Sequence, residues 1–176
     1  LDIGTAYGFF LEIAHNEGFE VYGNDISKEA VLYAKNHGFN VLLGSTKQNN
    51  YPPDFFDIVT MIGVIEHFNN PKEEIDEAVR ILKPGGLLII LTLSTSNFIG
   101  RGAIKPPEHL YYFSAKNITR VLSLHGLNVI KLYPFFTFYR YEELIFHLLA
   151  RILKSHKYFI DKLERYFKIH LLKTSS

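Results

Sequence analysis

Leu1-Asp2-Ile3-Gly4-Thr5-Ala6-Tyr7-Gly8 decides how the rest of the chain is read. Its apolar start reads as the end of a buried strand. The glycine spacing predicts a tight turn, with a helix over Phe9 to Asn16 directly behind it. Gly4 and Gly8 can take backbone angles that other residues avoid, and neither carries a side chain that would hold a ligand away. A strand, a glycine turn and a helix N-terminus in succession form a cradle for a nucleotide-like cofactor.

Outward from this turn, apolar runs alternate with amphipathic stretches, the pattern of a parallel α/β sheet. Strands are predicted over 19–25, 40–43, 56–62, 87–93 and 127–133. Ser27 caps a helix that reaches His37 and closes on Gly38. A further helix runs from Lys72 to Leu82 and stops at Lys83-Pro84-Gly85-Gly86, where the proline ends it and the glycines turn the chain. Another spans Ser114 to His125, after a polar loop from Ser94 to Glu108. The first strand keeps only three residues, so the chain reads as cut at its start, and the turn-like Lys173-Thr174-Ser175-Ser176 reads as a cut end.

Composition narrows the classes of function. The 176 residues are 47% hydrophobic and 15% aromatic, which predicts a folded chain with a sizeable core. A formal net charge of +1 gives no bulk-charge case for nucleic-acid binding. The absence of cysteine excludes disulfides, thiolate metal sites and a cysteine nucleophile. No apolar run is long enough to span a bilayer, and the expected setting is the cytoplasm.

Asp25 ends the second strand, 17 positions beyond Gly8. A carboxylate there can accept hydrogen bonds from both hydroxyls of a ribose; a turn or helix-capping aspartate is the alternative. Ile26 beside it can lie against an adenine face or pack in the core. Asp2 can orient turn amides and offset a cofactor's ammonium or sulfonium charge, or serve only to brace the turn.

Four segments resemble, in order and spacing, the motifs of class I S-adenosylmethionine-dependent methyltransferases: Asp2 to Gly8, Gly23 to Ser27, Phe56 to Phe68 and Arg80 to Leu93. The third is similar to the strand-four segment of ubiquinone-biosynthesis-type O-methyltransferases, where Glu-His recurs as in Glu66-His67. A fifth, His109-Leu110-Tyr111-Tyr112-Phe113-Ser114, resembles the segment that borders the acceptor pocket in that group. The resemblance covers about Leu1 to Tyr133. It implies a Rossmann-like doubly wound sheet, mostly parallel, whose last strand returns antiparallel between the fifth and sixth; Phe167 to Leu172 is the one candidate for that strand. It implies S-adenosyl-L-methionine as cofactor, with S-adenosyl-L-homocysteine as product. It also implies in-line methyl transfer to a small-molecule or lipid- or glycan-linked acceptor, oxygen first among the acceptor atoms.

Residue by residue, the resemblance places Asp2, Gly4, Ala6, Gly8, Asp25, Ile26, Ser45, Thr46 and Gly63 around the cofactor. Ala6 stands in the middle glycine position, and Ser45 where relatives often carry an acid that reaches the adenine amino group. His109 or His67 is the expected base, since an imidazole ordinarily titrates near neutrality. Glu66 and His67 are adjacent and their side chains are expected to diverge, so no metal site is expected. A nicotinamide-dependent oxidoreductase fits less well, because the third glycine of its motif falls out of step here. A cofactor-binding scaffold without catalysis is the other reading.

Two domains are expected: 1–134 for the cofactor, and 135–176 as a helical extension. From Tyr139 onward eight basic residues face four acidic ones, and Leu144, Ile145, Leu148, Leu149, Ile152 and Leu153 recur at helical spacing. Such a helix can be a lid, a homodimer face or, through 139–173, a peripheral membrane contact.

Overall fold

Short apolar runs that alternate with helices give five strands in one sheet. The structure is a computed structural model that describes residues 1–93 and 109–132. The strands are β1 (Asp2–Ile3), β2 (Tyr22–Asp25), β3 (Asn40–Leu43), β4 (Phe56–Ile62) and β5 (Leu82–Leu91). All are parallel, in the order β3-β2-β1-β4-β5. Asp2 lies in register with Gly23 on one side and Thr60 on the other. The chain therefore works outward from β1 in both directions, and the switch falls between β1 and β4. In open α/β sheets that crevice, beyond the carboxyl ends of the strands, is where ligands bind.

The helices carry the signals that the sequence gives them. α1 (Phe9–Asn16) starts from Gly8 in the left-handed conformation and buries Phe10, Leu11 and Ala14 along one face. α2 (Lys28–Asn36) is capped by Ser27, whose Oγ accepts from the Ala30 amide at 3.3 Å, and ends with Gly38 at φ +88°. α3 (Thr46–Asn49) is a single turn. α4 (Pro71–Ile81) has proline at its first position and places Ile75, Ala78 and Ile81 completely inside. These residues meet Ile3, Val59, Met61 and Ile65 in the main core, which continues to Phe113 and to Ile118 on α5 (Ala115–Leu124).

Two elements depart from the sequence reading. β5 begins at Leu82, directly after α4, rather than at Leu87. Leu82 pairs with Phe56 and Leu87 with Ile58; between them lies a register irregularity holding Lys83 to Gly86, with Gly85 at φ +75°. The Pro-Gly-Gly corner thus turns the chain as a bulge within the strand rather than ahead of it. Residues 127–132 form no strand, and Ile130 and Leu132 are about half exposed. A strand exists only through a ladder, and among the described residues the outer edge of β5 offers none to 127–132.

The chain divides into two units, Leu1–Leu132 and Tyr133–Ser176. The 94–108 loop, the candidate strand at Phe167 to Leu172 and the basic extension with its lid, dimer and membrane readings lie outside the described residues. No helix among the described residues is long and apolar enough to cross a membrane.

Candidate cofactor and acceptor site

The Gly4–Gly8 turn is held by its own backbone and by β2. The amides of Gly4 and Thr5 both donate to the Asn24 carbonyl, at 2.8 and 3.1 Å, and the Gly8 amide donates to the Thr5 carbonyl at 2.9 Å. Gly4 (φ +73°) packs so closely under Val64 that a Cβ there would stand 2.4 Å from Val64 Cγ2. Ala6 occupies the left-handed region at φ +47°, a conformation that favours glycine. In β2, Gly23 makes room for Thr5 and Leu11, whose methyl carbons would stand 2.8 and 2.9 Å from a Cβ.

Asp25 joins the turn to the next helix. Its Oδ2 accepts from the Ala6 amide and its Oδ1 from the Ser27 amide, both at 2.8 Å. The bracing role is therefore realised, and the ribose role remains chemically open. A carboxylate has about four lone-pair sites, so two amides leave acceptor capacity for a diol. Ile26 beside it is 81% exposed, rather than buried in the core.

Asp2 is buried, and Thr60 Oγ1 donates to its Oδ1 at 2.6 Å. Loss of hydration pushes its carboxyl up to about 6, against the Thr60 bond, which favours the charged form. Thr5 lies beside it on the same side of the balance, yet Thr5 Oγ1 makes no hydrogen bond of standard geometry among the described residues. Asn24 Oδ1 is likewise buried without a partner, although the Asn24 amide group donates to the Gly44 carbonyl at 3.1 Å. The raised value marks a buried carboxylate short of compensating charge, and beside an unsatisfied hydroxyl it suits a cationic ligand with hydrogen-bonding groups. The residues fit S-adenosylmethionine on that ground.

Ser45 and Thr46 fall differently. Ser45 caps α3: its Oγ accepts from the Gln48 amide at 3.3 Å while its own amide donates to Gln48 Oε1 at 2.9 Å. Its hydroxyl keeps a second lone pair for an adenine amino group. Thr46 is completely buried, with its hydroxyl beside Glu74 of α4. That leaves it no surface from which to touch a ligand and removes it from the cofactor set. Burial in turn raises the Glu74 carboxyl.

Across the switch point, the chain leaves β4 through Gly63, whose amide donates to the Leu91 carbonyl at 2.8 Å. It then makes a 3₁₀ turn over Ile65–His67. The amides of Leu110 and Tyr111 both donate to the Glu66 carbonyl, at 2.8 and 3.2 Å, and the Tyr111 hydroxyl donates to the Asn69 carbonyl at 3.2 Å. These bonds bring His109 to His67, with ring centroids 4.9 Å apart. Glu66 is 3% exposed, and Thr92 Oγ1 donates to its Oε2 at 2.8 Å. The expectation that Glu66 and His67 diverge is corrected here: one ligand atom each from Glu66, His67 and His109 lies within 4.8 Å of the others. Neighbours on so short a turn can converge beyond its end, and the long-range contact supplies the third group.

Thr60 and Thr92 escaped the sequence reading. Each was legible as a lone hydroxyl within an apolar run, Val59-Thr60-Met61 and Leu91-Thr92-Leu93.

Residues 1–132 match the family model described as "Methyltransferase domain". An uncharacterized protein of Methanocaldococcus jannaschii is 31% identical over 137 residues, covering 74% of this chain and 65% of its own length. A ubiquinone biosynthesis O-methyltransferase of Photobacterium profundum is 32% identical over 101 residues, covering 53% of this chain and 43% of that protein. The chain thus spans less than two thirds of the length of either of these relatives. Among solved structures, a SAM-dependent methyltransferase of Thermotoga maritima superposes with a TM-score of 0.63 at 24% identity, covering 73% of this chain and 63% of the other. One from Archaeoglobus fulgidus gives 0.63 at 21% identity, covering 93% and 78%. With three quarters of its length inside the family match and this fold beneath it, the chain belongs to the methyltransferase-domain family of class I S-adenosylmethionine-dependent methyltransferases.

Proposed function

We propose that the chain binds S-adenosylmethionine over the Gly4–Gly8 turn and directs methyl transfer to an oxygen of a small-molecule acceptor held beside His67 and His109. The observation that carries this reading is the pairing, across the switch point, of the Asp25-braced turn with a two-imidazole cluster at the ends of β4 and β5. The naming of several relatives as ubiquinone biosynthesis O-methyltransferases supports oxygen as the acceptor atom.

When bound, the cofactor supplies an electrophilic methyl on a sulfonium, which needs an in-line nucleophile and little covalent help. The protein's share is then position and charge. Asp25 tethers the sugar, Ile26 lies against the base, and Asp2 offsets positive charge from beneath the turn. Holding the acceptor at attack distance is the largest contribution open to such a site. His109 or His67 takes the proton from the acceptor hydroxyl, and Tyr112, whose ring centroid is 6.2 Å from that of His109, flanks the acceptor side.

The test is calorimetry with S-adenosylmethionine, then a screen of phenolic and other hydroxyl acceptors with methyl-labelled cofactor. Label should appear in an O-methyl product, and loss of both imidazoles should suppress turnover while cofactor affinity is kept. No measurable cofactor binding would end the reading. Binding without turnover of any acceptor would leave a cofactor-binding scaffold.

A further inference from the structure

We propose that the cleft between the start of α1 and the outer face of α2 binds a quaternary ammonium group. The cleft holds about 90 Å³. Tyr7, Phe9 and Glu12 wall it from the glycine turn and α1, and Tyr33, His37 and Phe39 from α2 and the turn after it. Of the residues set around the cofactor, Tyr7's neighbour Gly8 borders the cleft, whereas Asp2, Asp25, Ile26, Ser45 and Gly63 do not. Its chemistry is therefore not that of the cofactor cradle.

The rings stand where a core would not put them. Tyr7 and Tyr33 are each 41% exposed and Phe9 is 63% exposed. Exposed apolar side chains scattered singly need no explanation, but rings gathered around one cleft mark a binding surface. Tyr7 meets Tyr33 at 88° with centroids 5.3 Å apart, and Phe9 at 44° and 6.4 Å. Perpendicular rings form an inside corner, where one bound group meets both faces. Those faces are negative, and a cation is attracted within about 6 Å of a ring centroid. His37 stacks on Tyr33 at 4.1 Å, and its Nδ1 donates to the Tyr33 carbonyl at 2.8 Å. The corner is thus braced before any ligand arrives.

Charge selects the ligand. Glu12 brings a carboxylate to the cleft, and no lysine or arginine lines it. Glu12 lies three residues beyond Phe9, on the same face of α1. It also offsets the positive end of that helix, which would otherwise oppose a cation. An anion would meet this carboxylate, and a neutral ligand would gain nothing from it. A compact ammonium keeps its water, whereas methyl groups spread the charge over a surface that packs against rings. Grouped aromatic rings recognise quaternary ammonium ligands in this way.

This site goes beyond the methyl-transfer reading and does not rest on it. The ammonium can belong to a free solute or to the head of a choline lipid, and the experiment distinguishes the two.

Tetramethylammonium and choline are titrated into the full chain, with binding followed by saturation-transfer NMR on their methyl protons. Saturable binding is expected, with a dissociation constant on the order of 1–10 mM for exposed rings and a solvated carboxylate. The uncharged carbon analogue of choline, 3,3-dimethylbutanol, should bind about fivefold more weakly than choline. Tyr33→Leu should cost about fivefold and Tyr33→Phe almost nothing, because only the first removes a π-face. Tyr7→Leu with Tyr33→Leu should remove measurable binding, and Glu12→Gln should weaken it about threefold. All these positions are exposed, so the fold is not at stake. Phosphatidylcholine vesicles give the second arm. Co-sedimentation that is lost in the double variant assigns a lipid head, and choline binding without co-sedimentation assigns a solute. The proposal is overturned by no saturable binding, by equal affinity for 3,3-dimethylbutanol, or by binding that persists in the double variant. Displacement by saturating S-adenosylhomocysteine also overturns it, since the cation would then sit in the cofactor cradle. Calorimetry of S-adenosylhomocysteine alone, on the same preparation, reports the cofactor reading separately.

Discussion

Gly4 to Ser27 builds its half of the site from one contiguous stretch of chain, whereas the facing half joins His67 to His109 from segments far apart in sequence. On the cofactor side the backbone angles and amide bonds lie within Gly4 to Ser27, while Thr60 and Val64 close on the turn from farther along the chain. On the acceptor side, two amides reaching one carbonyl hold the imidazoles together. The first half is therefore stiff and intolerant of added atoms. The second is set by a few long-range bonds and can be retuned by changing side chains alone.

The most direct way to break this contrast is Gly4→Ala. The new methyl would meet Val64, which is β-branched and cannot swing aside, and the residue would have to hold φ +73°. Together these should destabilise the fold by about 2–4 kcal/mol in urea denaturation. Gly4→Ala with Val64→Ala should recover the steric part and leave the conformational part. If Gly4→Ala is tolerated, the turn is softer than the geometry implies.

Gly23→Ala comes next. Its Cβ would press on Thr5 and Leu11, side chains that can shift a little, so the loss should be about 2 kcal/mol in the same measurement. Asp25→Asn sharpens the contrast from another side. An asparagine offers one acceptor oxygen where two amides now need two. S-adenosylhomocysteine affinity should fall about thirtyfold, near 2 kcal/mol, by calorimetry.

The cofactor half was legible because its signals are local. Gly4, Gly8 and Ser27 announce a turn and a cap within a few residues, and α1 and β4 fall over the ranges that periodicity sets. What escaped depends on partners distant in sequence. Thr46 looked like a cofactor contact because it follows β3, but contact between α3 and α4 buries it against Glu74. Residues 127–132 alternate like a strand, yet pattern cannot supply the neighbour a ladder requires. The convergence of Glu66 with His67 was invisible because neighbouring residues suggest opposed directions, and only the bonds from Leu110 and Tyr111 show where His109 arrives.

The smallest expected effect concerns Asp2 and separates the two halves by pH. Burial holds its carboxyl near 6 in the folded chain, above the ordinary 3.8, so the fold binds that proton more tightly than the unfolded chain does. Asp2 therefore favours the fold in acid, and that contribution is lost as pH rises from about 4 through about 6. Asp25 faces the same carboxyl and pushes in the same direction. A cationic cofactor above Asp2 reverses the preference, because it stabilises the ionised form and lowers the pKa on binding. S-adenosylmethionine affinity should thus rise about tenfold between pH 5 and pH 7, with proton release detectable by calorimetry in buffers of different ionisation enthalpy. The control is Asp2→Asn, which should flatten the profile if the dependence belongs to Asp2. A slope that survives Asp2→Asn would take the dependence away from the cofactor half. S-adenosylhomocysteine then decides which charge is met: it keeps the ammonium but lacks the sulfonium, so a flatter profile for it alone assigns the role of Asp2 to the sulfur.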